Sequence, residues 1–211
     1  MLKCNHIAAY PEEYLKLFSI PKDGQNNTLK IFIRALQEMV DPKRGLPFRN
    51  DDDRQKFKGD VLEVLSEVFF TKFNSDPRMG LTDYTPIAVS EDYGVDATGS
   101  NANGDLSMVQ VKFRSNPNEV VTYAEIARTF TAGVLRHNLD PSKDHTIFVF
   151  TTANDVSRQC RAVLHDKLVV VSAPFIKRTI DNNKNFWMQS LSDIQEYLDY
   201  HRATQGLGAN I

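Results

Sequence analysis

Asp96, Gln110 and Lys112 are the residues whose types and spacing can do chemistry together. Asp96 sits in Gly94-Val95-Asp96-Ala97-Thr98, and the other two sit in Val109-Gln110-Val111-Lys112. Both stretches read as strands, and the Asn103-Gly104 pair between them signals a hairpin. Period-two alternation puts Gln110 and Lys112 on one face, and a twisted ribbon can bring both near Asp96. A carboxylate, an amide oxygen and an ammonium in one small volume suit hydrolysis of a phosphodiester. Asp96 can bind a hard divalent cation such as Mg²⁺, with Mn²⁺ as a substitute. The Gln110 side-chain oxygen and the Val111 carbonyl can complete the protein's share of the shell. Such a cation polarises the phosphate and makes water a better nucleophile. Lys112 can orient or help deprotonate that water and offset charge in the transition state. Glu63, on the preceding helix, is a further ligand, direct or through water, and Asp60 and Glu67 compete with it on the same helix.

These residues need a frame, and the pattern of the chain supplies one. Tyr14, Leu15, Phe18, Leu29, Phe32, Leu36 and Met39 recur at helical spacing before Pro42 and Gly45 break the pattern. This opening part reads as a helical cap; a DNA-contacting arm using Lys30, Arg34, Lys43, Arg44 and Arg49 is the alternative. A long helix follows from about Asp52 to Lys72, with Asp51-Asp52-Asp53 as N-cap and favourable charge. Strands are expected over Leu81–Ser90, Gly94–Thr98 and Leu106–Arg114. A helix from Thr122 to Arg136, a strand over Thr146–Thr151, a helix from Val156 to Leu164 and a strand over Leu168–Val171 come next. The chain then turns helical through Trp187, Ile194 and Leu198, with a frayed tail over Gln205–Ile211. The order predicts a mixed α/β sheet flanked by helices. Three segments are expected: a helical N-terminal extension over 1–50, a core over 51–182, and a C-terminal helix and tail over 183–211.

Composition narrows the class. The 211 residues are 41% hydrophobic and 25% charged, which fits a folded globular chain and excludes disordered or collagen-like ones. Two cysteines far apart suit a reducing compartment. Cys4 and His6 form only half of a zinc ligand set. No stretch approaches a membrane span, and the N-terminus does not read as a secretory signal, so a cytoplasmic protein is expected. A net charge of −2 argues mildly against a general nucleic-acid coat but allows a local basic face. No Gly-Lys-Ser or Gly-Lys-Thr follows the glycines to make a nucleotide-binding loop, and no Ser/His/Asp set stands out.

The residues above resemble the PD-(D/E)XK nuclease superfamily, and within it the Mrr-like restriction endonuclease branch, which carries Gln in place of the second acidic residue. The resemblance runs from Lys58-Gly59 to Glu63, through Gly94-Val95-Asp96 and Val109-Gln110-Val111-Lys112, to Ile147-Phe148-Val149-Phe150-Thr151-Thr152. It covers roughly Phe57 to Ile180. It implies a restriction-endonuclease-like core and a Mg²⁺-dependent endonuclease acting on DNA, with Glu63, Asp96, Gln110 and Lys112 catalytic. Val95 replaces the superfamily's proline, and the neutral Gln110 implies weaker metal binding than an Asp–Glu site. Arg114 continues the Gln110–Lys112 face toward phosphate. Arg128 either faces the same cleft or pairs with Glu125, and Thr151 and Thr152 end a strand and cap the next turn. Cutting both strands of a duplex calls for two active sites, hence a homodimer. The competing readings are a DNA-binding module without activity, a nuclease module working with a helicase, and an enzyme acting on RNA or another phosphoester.

Overall fold

The computed structural model describes the chain apart from residue 44 and residues 74–78, 89–93 and 209–211, with backbone alone for 205–208. In order, its elements are α1 (His6–Ala9), α2 (Pro11–Ser19), α3 (Thr28–Met39), α4 (Asp51–Lys72), β1 (Thr82–Pro86), β2 (Ala97–Ser100) and β3 (Leu106–Lys112). There follow α5 (Tyr123–Arg136), β4 (Ile147–Thr151), α6 (Arg158–Leu164), β5 (Leu168–Val171), α7 (Ala173–Asp181) and α8 (Phe186–Gly208). They form two compact units, one spanning Leu65–Phe175 and the other Met1–Val64 with the chain from Ile176 onward. The expected terminal segments, 1–50 and 183–211, therefore share a unit, and the boundary falls inside α4.

The unit Leu65–Phe175 is built on a five-stranded mixed sheet in the order β1-β2-β3-β4-β5. Strands β1, β2 and β3 run antiparallel, as a hairpin sequence requires, and β3, β4 and β5 run parallel with α5 and α6 as crossovers. The hairpin loop closes on Asn101, whose side-chain oxygen accepts the Asn103 and Asp105 N–H groups at 3.0 and 2.9 Å. Gly104 takes the left-handed conformation there, with φ of 81°. Strand β4 is buried throughout, so both its faces carry apolar side chains. Phe148 and Phe150 meet Phe69 and Phe70 of α4. Ile147 and Val149 pack instead with Val121, Ile126, Val156 and Cys160 beside α5 and α6.

The other unit is helical. Tyr14, Leu17 and Phe18 of α2 and Leu29, Phe32 and Leu36 of α3 are buried, and Trp187 of α8 stacks on Phe32 at 5.2 Å. Asp181 accepts the Asn27 and Thr28 N–H groups at 2.9 and 3.1 Å at the start of α3. Asp23 does the same for Trp187 and Met188 at the start of α8, both at 2.9 Å. Two carboxylates thus satisfy open helix ends contributed from opposite ends of the chain.

Several boundaries differ from the expectation. The cap of α4 is Asn50, whose side-chain oxygen accepts the Asp53 N–H at 2.8 Å; the three aspartates occupy the first turn. The strand expected over Leu81–Ser90 is β1, and its expected end at residues 89–90 lies outside the described residues, as does residue 44 of the basic arm. The tail expected to fray is helical to Gly208, with residues 209–211 outside the description. No helix among the described residues is long and apolar enough to cross a membrane. Cys4 and Cys160 are buried and form no disulfide.

Candidate active site

Asp96 lies one residue before β2, where the antiparallel ladder ends at the pair Ala97–Val109. Its N–H donates to Val109 O at 3.0 Å, and its carbonyl accepts from Ile87 at 3.0 Å. Beyond that pair, β3 has no strand neighbour on this side among the described residues, and the Asp96 side chain takes that place. Oδ2 accepts the Val111 N–H at 2.5 Å and a hydrogen bond from the Gln110 amide nitrogen. A strand residue's N–H and C=O point to the same edge, so the Val111 carbonyl also lies on the Asp96 side. Asp96 and Gln110 are 8% and 1% exposed. The face of β3 that carries Gln110 is therefore covered rather than solvated.

The cover is α5. Its Thr129 hydroxyl lies 2.7 Å from Gly94 O and also within hydrogen-bond reach of Gln110 Oε1. A hydroxyl has one proton to donate, so it cannot serve both acceptors at once. Turning the Gln110 amide over resolves the conflict, because its nitrogen then donates to Thr129 while Thr129 donates to Gly94. That orientation sets the Gln110 oxygen against the Asp96 carboxylate, an arrangement that a cation between the two would stabilise. The two amide orientations differ only in which atom is nitrogen. The donor set of carboxylate, amide and carbonyl oxygens suits Mg²⁺ or Mn²⁺, so the residues present fit such a group.

Lys112 ends β3 half-buried on the Gln110 face, with no ion pair among the described residues. Its backbone is held firmly: the Lys112 carbonyl accepts from the Thr151 hydroxyl at 2.7 Å and the Thr152 N–H at 3.3 Å. Thr152 Oγ1 accepts the Arg114 N–H at 2.6 Å and donates to Arg114 O at 2.9 Å. Thr151 also accepts the Ala153 N–H at 3.1 Å, so the two threonines clamp the end of β3 as well as capping a turn.

The two arginines part company. Arg114 donates to Glu125 at 2.6 Å, approaches Glu119 at 3.7 Å, and its side chain is 14% exposed. Glu125 belongs to the capping box of α5, with Thr122. Burial would raise the Glu125 carboxyl, but hydrogen bonds from Thr122 and Arg114 outweigh it and hold the group below the usual glutamate range. Arg128 is exposed and does not share Glu125; its Cγ and Cδ lie over Gly94, 3.7 and 3.8 Å from where a Cβ there would stand. Gly94 is needed for its φ of 101°.

The helix carboxylates separate too. Glu67 is 3% exposed within the unit that carries Asp96. Glu63 lies in the other unit, where its Oε2 is 2.9 Å from His6 Nε2. Asp60 pairs with Lys56 at 2.8 Å. Sequence reasoning missed Thr129, whose one signal was a hydroxyl on the inward stripe of an amphipathic helix.

No protein-family model and no curated protein matches the chain. Among solved structures, the restriction endonuclease MspJI in complex with a 27-mer oligonucleotide aligns with TM-score 0.44 and 18% identity, over 73% of this chain and 38% of that one. The DNA modification-dependent restriction endonuclease AspBHI aligns with TM-score 0.37 and 14% identity, over 64% and 40%. A repair endonuclease from Pyrococcus abyssi aligns with TM-score 0.33 and 10% identity, over 50% and 45%. The chain spans under half the length of each, and these partial likenesses assign no role to any residue here.

Proposed function

We propose that the chain is a metal-dependent endonuclease that hydrolyses DNA phosphodiester bonds, using Mg²⁺ or Mn²⁺. The observation that carries this reading is the sheet edge that sets the Asp96 carboxylate against the Val111 N–H and the Gln110 side-chain amide, 15 and 14 residues away, with Lys112 next in line. Asp96, the Gln110 oxygen and the Val111 carbonyl are the groups that would hold the cation. When bound, it polarises the scissile phosphate and makes water a stronger nucleophile. Lys112 orients the attacking water and offsets negative charge as it builds on the phosphate oxygens. Thr129 fixes the Gln110 amide, and Arg128 offers an exposed guanidinium to the DNA backbone beside Gly94. The sequence resemblance adds a carboxylate of α4, Glu63, and comparison of the cleavage rates of Glu63→Gln and Glu67→Gln decides between it and its neighbour one turn on.

The test is incubation with linear and supercoiled DNA in Mg²⁺, Mn²⁺ or EDTA, beside a variant of Asp96. Alanine is a poor choice, because it would strand the buried Val111 N–H at about 1–3 kcal/mol. Asp96→Asn keeps an acceptor for that N–H and removes the charge. Cleavage in metal, absent in EDTA and lost at least about 100-fold in Asp96→Asn, is the expected outcome. Salt-dependent binding with no cleavage in any metal would make the chain a DNA-binding module instead. Preferential cutting of RNA in a competition assay would move the substrate class.

A further inference from the structure

A second cluster of chemically active side chains lies in the unit that holds the N-terminus. One ligand atom each from Cys4, His6 and Glu63 lies within 4.8 Å of the other two. His6 Nε2 is 2.9 Å from Glu63 Oε2, and His6 Nδ1 is 3.6 Å from Asp60 Oδ2. Cys4 is 2% exposed, and the His6 and Glu63 side chains are 12% and 22% exposed. Next to them sits the Tyr14 hydroxyl, buried and without a hydrogen-bond partner among the described residues.

We propose that Cys4, His6 and Glu63 hold one zinc-class divalent ion. The donor set decides the class: a thiolate with an imidazole selects a borderline d-block ion over Mg²⁺ or Ca²⁺, which require oxygen. Metal–ligand bonds of about 2.0–2.3 Å place the atoms of one tetrahedral shell under about 4 Å apart, within side-chain rotation of the observed trio. Asp60 stands at the far ring nitrogen of His6, where a carboxylate fixes the tautomer and orientation of a metal-bound imidazole. Three protein ligands leave a fourth position for water. A pocket of about 650 Å³, lined by Asn5, His6, Tyr10, Lys56 and Asp60 among others, opens onto the His6 and Asp60 side of the cluster. The bound ion staples the first residues of the chain to a helix 57 positions later. This site stands apart from the nuclease reading, and Glu63 is the one residue the two share.

The test uses the full chain, stripped with EDTA under reducing conditions and titrated with Co²⁺, then Zn²⁺. One equivalent of Co²⁺ should bind with a thiolate-to-cobalt charge-transfer band in the near ultraviolet, and Zn²⁺ should displace it and raise the Tm. Cys4→Ser should abolish the band and Cys160→Ser should keep it. His6→Gln should weaken Co²⁺ binding more than about 100-fold, and Asp60→Asn about 10- to 100-fold. Glu63→Gln should weaken it more than about tenfold, whatever it does to cleavage. Where Cys4→Ser fails to fold, His6→Gln and Glu63→Gln, at half-buried positions, carry the same readout. Absence of a thiolate band in the wild-type chain, its survival in Cys4→Ser, or unchanged Co²⁺ affinity in Glu63→Gln overturns the site.

Discussion

Lys112 and Arg114 stand two positions apart, and the structure gives them different surroundings. The Arg114 guanidinium is committed to Glu125 at 2.6 Å and is 14% exposed, so little of it remains to meet DNA. Lys112 is half-buried with no ion pair among the described residues, on the face of β3 that carries Gln110. If the nuclease reading holds, Lys112→Ala should lower the cleavage rate at least about 100-fold with unchanged stability. Arg114→Ala should keep most of the activity and lose about 1–2 kcal/mol of stability, an amount reduced by the part-exposure of Glu125. Cleavage rates and urea melts of the two variants separate the roles. Equal small losses of activity, or a larger loss in Arg114→Ala, would refute the assignment. Arg114 also shows why a residue's face is a weak guide to its partner, since alternation along β3 says which side it takes but nothing about Glu125.

At the level of elements, α5 both covers Gln110 and starts in a capping box, Thr122 with Glu125. Thr122→Ala should remove about 1 kcal/mol and leave the Asp96–Gln110 pairing intact, so urea unfolding should shift while the rate per folded molecule stays constant. A rate that falls with stability restored by lower temperature would mean that α5 orients the site through its first turn. The Glu125 carboxyl, held low, stabilises the fold above the ordinary glutamate range and loses that contribution as pH falls through its lowered value. The sheet itself was legible in the sequence: the hairpin from Asn103-Gly104, β3 from the alternation around Val109 and Val111, β4 and β5 from short apolar runs, each within a few residues. What was hidden depends on contacts between elements. Asp96 just outside β2, Thr151 and Thr152 gripping the end of β3, and Thr129 over Gln110 are all set by packing of distant segments, which leaves no periodicity in the chain. Cys4 and His6 showed half a ligand set, and only folding brought Glu63 to them.

For the molecule as a whole, the sheet site is single per chain among the described residues, whereas duplex DNA offers two antiparallel strands related by a dyad. A nuclease that breaks both strands with one such site must either rebind or act as a two-fold pair, and closed two-fold dimers are the commonest way to present two copies of a site to a symmetric target. On the proposed nuclease reading, a net charge of −2 would make long-range attraction to DNA weak, so assembly on the duplex, through a local contact such as the one proposed for Arg128, would be favoured over a dimer that forms first and is then steered in. Sedimentation should therefore show a monomer alone and a doubled protein mass on a short duplex in Ca²⁺ or EDTA, where cleavage is arrested. Mixing wild-type protein with a large excess of Asp96→Asn should then convert double-strand cuts in supercoiled DNA into nicks, because nearly every pair that contains a wild-type chain then holds one working site. Double-strand breaks that persist in proportion to the wild-type protein alone, with a monomer on the duplex, would show that one chain cuts both strands in turn.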